Sequence, residues 1–437
     1  MLESVKNAFK VKEIRDKILF TLVMLVIIRF GSQLPAPGVD RNYFASWFAA
    51  HTGDAFSLVD AFTGGSFLNM SILALNITPY ITSSIIMQLL TIAIPRLEEM
   101  QKEGEDGRKK IASITRYVTV ALALIEGTAM AVGFGRNGLL ENYNAINVIL
   151  VVTTLTAGSA FLMWIGERIT DRGVGNGISI VLCINIISRM PQDIASLFQQ
   201  FVIGKSVAVG ALAAVIIIAI IAGMVILVIM LNGAERRIPV QYARKIQGRR
   251  QIGGATSSIP LKVNTAGVMP IIFASSLMEF PVIISQLAGY SGTGVWSEIL
   301  RYLSSSYWCN PAMPRYTIGL VVYILLLIFF AYFYTSITFN PIEISENMKR
   351  SGGFVPGIRP GKPTSDYLQR ILNYIIFIGA IGLTIVGILP FFFRGVFGAS
   401  VSFGGTSLII VVSVILETIK QIESMMTVRN YSTFLSD

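Results

Sequence analysis

Apolar positions in this chain do not alternate with polar ones; they form long unbroken blocks separated by short charged segments. Residues 61–95 contain no Asp, Glu, Lys or Arg. A membrane-crossing helix needs only about 20 apolar residues, and this block is interrupted twice, by Thr63-Gly64-Gly65-Ser66 and by Asn76-Ile77-Thr78-Pro79. Irregular backbone at membrane depth persists only where protein covers it or where it borders a watery cavity. The pattern predicts a short re-entrant piece followed by a full helix, beside a pore or a binding site. Other charge-free blocks lie at 142–165, 207–231, 316–342 and 371–393. Together the pattern predicts ten spans, at 18–34, 72–94, 114–133, 145–165, 175–190, 207–231, 265–288, 316–338, 371–393 and 404–422. The fifth and tenth are short and are expected inside the bundle. Continuous apolar runs exclude an outer-membrane barrel, whose strands alternate.

Composition agrees: 53% of the 437 residues are hydrophobic and 14% charged, against about 25% charged in a soluble domain. Ten spans place both termini on one side. Most of the 35 basic residues fall on that side if it is the cytoplasm, as the positive-inside bias requires, and the net charge of +10 follows from it. No cleavable leader is evident, so 18–34 is read as an uncleaved first span. Residues 1–17 form either an amphipathic helix on the inner membrane surface or a plain basic flank.

Two inner loops are long, at about 232–261 and 339–369. The first carries Arg236, Arg237, Arg244, Lys245, Arg249 and Arg250, and the second Lys349, Arg350 and Arg359. Topology and anionic lipid account for the charge, but not for the length. Long irregular loops tend to be functional, so docking of a soluble partner with an acidic or phosphate-rich surface is the sharper reading.

Enzyme chemistry has no support. The chain offers no paired carboxylates, no Cys–His dyad and no metal-ligand spacing around its single His51, so no catalytic residue, metal or cofactor is expected. Cys183 and Cys309 are expected to lie apart, without a disulfide. Gly173-Val174-Gly175-Asn176-Gly177 lacks the preceding strand and following Lys of a nucleotide loop and reads as a tight turn between spans four and five. Within the spans, Arg29 and Glu417 lie near ends and can snorkel, whereas Glu126 and Glu279 are deeper. Two scattered glutamates make a poor coupling site, which argues against the alternative class, a secondary transporter with inverted repeats and broken helices. A faint repeat, Pro79 with Ser83-Ser84 and Pro270 with Ser275-Ser276, points to two five-helix halves. At similar depth the spans offer Ile77 and Ile81, one helical turn apart, with Leu182, Ile272 and Ile410. Ordinary bundle core satisfies this pattern. So does an aliphatic constriction that excludes water and ions by dewetting.

These residues resemble the SecY family, the central subunit of the bacterial protein-conducting channel, over about 17–426. The likeness is carried by Pro79-Tyr80-Ile81 with Gln88-Leu89-Leu90, Lys102-Glu103-Gly104-Glu105, Arg108-Lys109-Lys110, the run from Gly166-Glu167-Arg168 to Asn176-Gly177-Ile178-Ser179, Gln247-Gly248-Arg249-Arg250, Pro260-Leu261-Lys262-Val263-Asn264, Phe354-Val355-Pro356-Gly357-Ile358-Arg359-Pro360-Gly361 and Phe403-Gly404-Gly405-Thr406-Ser407-Leu408.

The resemblance implies an all-α fold of ten transmembrane helices, in two pseudo-symmetric halves around an hourglass pore. The halves would be 18–203 and 204–427, flanked by the N-terminal segment 1–17 and a short tail, 428–437. Ile77, Ile81, Leu182, Ile272 and Ile410 would form the pore ring, with Leu182 where isoleucine is common. Residues 56–69, including Phe62, Gly64, Gly65, Phe67 and Asn69, would be a short, loosely held plug helix. Ser83, Ser84, Gln88, Ser275 and Ser276 would line a lateral gate. The long loops would dock the ribosome and the SecA motor ATPase, with Arg359 the key arginine. SecE and SecG are the implied membrane partners and unfolded preproteins with their signal peptides the clients, at the bacterial plasma membrane, with no small-molecule substrate.

Overall fold

The computed structural model describes residues 8–39, 43, 44, 46, 60, 63–136, 138, 140, 143–203, 207–242, 245–247, 250–252, 256–287, 294–397 and 405–435. In chain order the helices are α1 (Lys12–Gly31), α2 (Thr78–Ala93), α3 (Pro95–Lys102), α4 (Glu105–Arg136), α5 (Ala145–Arg172), α6 (Gly177–Phe201) and α7 (Val207–Gly233). Strands β1 (Glu235–Tyr242), β2 (Lys245–Gln247), β3 (Arg250–Ile252) and β4 (Thr256–Lys262) follow. Then come α8 (Met269–Leu287), α9 (Val295–Leu303), α10 (Ile318–Thr338), α11 (Pro341–Arg350), β5 (Gly353–Phe354), α12 (Lys362–Phe397) and α13 (Gly405–Leu435).

A helix falls on each of the ten expected spans. Among the described residues six helical segments are long and apolar enough to cross a membrane, or seven if α2 and α3, bent by 101° to each other, count as one broken span. Two others fall short for visible reasons. α1 carries Arg15, Asp16 and Lys17 in its early turns, and α2 has only 16 residues. Two compact units result. One comprises Met1–Leu197, Ile283–Thr293 and Val414–Asp437; the other comprises Phe198–Val282 and Gly294–Ser413.

In the first unit, helix starts follow local chemistry. Pro79 occupies the first turn of α2, where a missing N–H costs nothing. Asn176 opens α6, its Oδ1 accepting from the N–H groups of Ile178 at 3.1 Å and Ser179 at 3.4 Å, a side-chain N-cap. The glycine-rich turn before it joins α5 to α6, as expected. It is tied to α1 by Val174 N–H donating to Thr21 Oγ1 at 3.2 Å. Residues 12–17 begin α1, and residues 1–7 of the expected N-terminal segment lie outside the described residues. Ile14 is buried with Ala8, Val174 and Ile422, which draws the end of the chain into this unit. A core of Phe44, Phe67, Met70, Phe134 and Leu155 fills the unit's middle, its three rings meeting edge to face at 5.0–6.3 Å between centroids, the favoured aromatic geometry.

In the second unit α7 is the most apolar helix, and only 11% of its span is covered by protein. Such a helix has lipid for its solvent. The loop that follows is not irregular, and this corrects the sequence reading. β1 and β4 pair antiparallel from Glu235↔Lys262 to Gln241↔Thr256. β5, from the second long loop, adds to β1 through Gln241↔Phe354 and Tyr242↔Gly353. Ile238 and Val240 alternate inward with Leu261, and Val355 after β5, with Met348 of α11 and Leu368 and Ile375 of α12, closes over them. The two loops expected as separate docks therefore share one hydrophobic core. Elsewhere in the unit Trp308, 2% exposed, packs on Tyr323 and Phe391 and donates from Nε1 to Tyr302 O at 2.9 Å.

Candidate functional site

The break in the charge-free block is built as the sequence requires, with every turn covered. Residues 64–77 run as successive turns, and they pair with the chain leaving α1. Ala36 N–H donates to Met70 O at 2.8 Å, and Ile72 N–H to Leu34 O at 2.9 Å. Thr63, Ser66, Ser71 and Asn76 are all buried, and their local bonds replace the ladder a helix would supply. Asn76 sits at φ +53°, a left-handed position that asparagine tolerates better than most residues. Its Oδ1 accepts from Asn185 Nδ2 at 3.0 Å, and this buried amide pair fixes the start of α2 against the middle of α6.

The segment expected as a loosely held helix is tightly held. Phe62 and residues 56–59 and 61 lie outside the described residues. Of the rest, Phe67 is in the aromatic core, and Asn69 N–H donates to Gly65 O at 3.2 Å. Gly64 is buried against α6. A Cβ there would lie 2.6 Å from Asn185 O and 2.9 Å from Ser188 Oγ, and φ is +65°. Both the left-handed backbone and the close approach demand glycine. Gly64→Ala is expected to destabilise the chain by about 2–4 kcal/mol, as strain and overpacking add. Thermal unfolding of the purified protein in detergent checks this, and an unchanged midpoint contradicts the packing.

The first unit holds three of the five expected ring residues. Ile77 caps α2 and is fully buried. Ile81 N–H donates to Ile77 O at 3.1 Å, one helical turn on, and its side chain is half-buried. Leu182, buried, precedes Asn185 by one turn of α6, so the Asn76–Asn185 pair brings its neighbourhood to theirs. The second unit holds Ile272, half-buried on α8, and Ile410, buried on α13.

The gate candidates divide likewise. Ser84 and Gln88 on α2 are half-buried, as is Ser275 on α8, while Ser276 is exposed. Ser83 is placed differently from the expectation. It is fully buried and bonds Thr119 on α4 at 2.6 Å, so its hydroxyl serves the contact between those helices. A buried hydroxyl needs such a partner, and α4 supplies it.

Of the docking candidates, Arg244 and Arg249 lie outside the described residues, and for Lys245 and Arg250 the backbone alone is described, in β2 and β3. Arg236 and Arg237 stand exposed on β1, the latter bonded from Nε to Glu235 at 2.7 Å. Lys349 and Arg350 end α11, and Arg359 is exposed at a tip. That tip is rigid. Gly357 and Gly361 take φ of +83° and +102° on either side of it. Thr364 Oγ1 donates to Arg359 O at 2.8 Å, and Ser345 Oγ donates to Gly361 O at 2.8 Å.

Sequence reasoning missed Asn185 as the partner of Asn76. A lone amide in an apolar span was the available signal, because such a group must find a partner. It also gave Arg29 a snorkelling role, whereas Arg29 Nη1 donates to Gly64 O at 3.4 Å.

These features define a multi-pass helical membrane protein with a buried, turn-rich break before its second span and a compact basic platform carried between later spans. Comparison with known proteins narrows the class. Residues 71–419 match the SecY family. The chain is 43% identical over 450 residues to the protein translocase subunit SecY of Streptomyces galbus, covering 100% of both. Its fold is similar to a solved protein-conducting channel, with a TM-score of 0.61 at 18% identity over 94% of this chain and 92% of that one. A second similar structure, at TM-score 0.60 and 19% identity over the same shares, concerns the plug domain of SecY, described as stabilising the closed channel and maintaining a membrane seal. The chain belongs to the SecY family.

Proposed function

We propose that this chain is the pore-forming subunit of a protein translocase in a bacterial plasma membrane. Both termini are cytoplasmic, unfolded preproteins pass through it, and apolar helices leave it sideways into lipid. The observation that carries the reading is the buried, turn-rich backbone at 64–77 inside a charge-free stretch, followed at once by Ile77 and Ile81. An aliphatic constriction offers a small solute nothing to bind, yet it seals against ions and deforms around a bulky chain.

In this reading Ile77, Ile81, Leu182, Ile272 and Ile410 form the ring, and Gly64, Gly65, Phe67 and Asn69 belong to the plug. Ser84, Gln88, Ser275 and Ser276 face the lateral gate. Release into lipid is driven by the transfer free energy of the segment itself. The platform of β1, β4, β5, α11 and α12 receives the ribosome and SecA; SecE and SecG flank the channel, and anionic lipid meets the basic loops. Energy for passage comes from SecA, because this chain does no bond chemistry.

The test is reconstitution of the chain with SecE in vesicles, addition of SecA and a labelled preprotein, and measurement of ATP-dependent protection from protease. Protection that depends on the chain and on ATP is expected. Its absence under all conditions, with SecA bound, overturns the reading.

A further inference from the structure

The turn that precedes α2 is joined to α6 by a buried ion pair. Asp60 is 0% exposed, and its carboxylate pairs with the guanidinium of Arg189. Arg189, whose side chain is 17% exposed, also faces Asp193 one turn further along α6, at 3.7 Å. Asp60 gathers the turn as well. Its Oδ1 accepts from Leu68 N–H at 2.9 Å. Its carbonyl accepts from Gly65 N–H at 3.1 Å and from Thr63 Oγ1 at 3.2 Å. One residue thus organises the turn and binds it to α6, while Arg29 holds the Gly64 carbonyl from α1.

The physics of a buried pair makes this contact a switch more than a glue. An intact pair gains little, because attraction offsets desolvation, but the loss of one partner strands the other charge out of water. The turn therefore stays on α6 unless both charges are rehydrated together, which gives two states with little between them. We infer that Arg189, through Asp60, is the positioning residue that latches this segment in its closed place, and that release requires water to reach both groups. This rests on the channel reading above, and deepens it by assigning the holding contact to a residue pair.

The test uses the full chain with SecE in phosphatidylethanolamine–phosphatidylglycerol vesicles, in a Cys183→Ser, Cys309→Ser background carrying Leu68→Cys. Two readouts are taken at rest: chloride leak, and labelling of the residue-68 thiol by an impermeant maleimide. Asp60→Asn and Arg189→Gln are each expected to raise both rates about tenfold. The double variant should open no faster than the quicker single, since it strands neither member of the pair. Both singles at the unsubstituted rates, or a double exceeding that limit, overturns the latch. Should Arg189→Gln fail to accumulate, Arg189→Lys replaces it; with its charge kept but its fork lost, a rise of about threefold is expected, and no rise overturns the proposal. Preprotein protection in the same vesicles, with SecA and ATP added, reports separately on the channel. Protection with unchanged labelling removes the latch alone, whereas labelling still decides whether the pair holds the turn if protection is lost.

Discussion

Arg359→Glu is expected to stop SecA-driven transport while leaving the chain folded and assembled. Arg359 projects from a tip whose two glycines take left-handed backbone and whose carbonyls are bonded by Thr364 and Ser345, so the side chain is offered at a fixed place. It is exposed and owes the fold little. Reversal replaces attraction to an acidic partner by repulsion, and a single central arginine can carry about 2 kcal/mol or more of an interface. Protected preprotein should fall at least about tenfold. Thermal unfolding and co-purification with SecE should be unchanged. Normal transport would remove Arg359 from the site.

Ile81→Ser is expected to raise resting ion conductance in planar bilayers. Ile81 suits this test better than Ile77. Ile77 is fully buried at the start of α2, so its truncation confuses seal with stability, whereas Ile81 is half-buried. Losing an isoleucine's apolar surface removes about 1.5–3 kcal/mol of burial, and a hydroxyl invites water into a constriction that seals by dewetting. A half-buried side chain carries about half of that, and if it bears on the closed state, conductance rises by roughly three- to tenfold. Ile410→Ser should act in the same direction. Resting conductance unchanged in both returns these side chains to the role of ordinary core.

How far the sequence was legible depended on the range of the cause. The helices sit where the charge-free blocks lie, because lipid allows little else. The break at Asn76 was visible, because Pro79 marks it and the block is too long for one helix. The hairpin was hidden. Its inward positions Ile238 and Val240 alternate properly, but Pro239 sits between them, Pro260 faces Arg237, and the basic residues around them read as loop. The partner strand β5 contributes only two residues from more than a hundred positions away. The Asn76–Asn185 bond was also out of reach, since it joins residues 109 apart that only the finished bundle brings together. Ser83 followed the same logic: a serine on an apolar helix looks like part of a polar gate face until Thr119 is found beside it.

The zipping of Gly353 and Phe354 onto Tyr242 and Gln241 has a mechanical outcome. A thrust delivered at the arginine-bearing knuckle cannot be absorbed by one flexible tether. It travels through the strands into α7 and α12, the two membrane-crossing rods that bracket them. Visitors that push on either tether thus work the same handle.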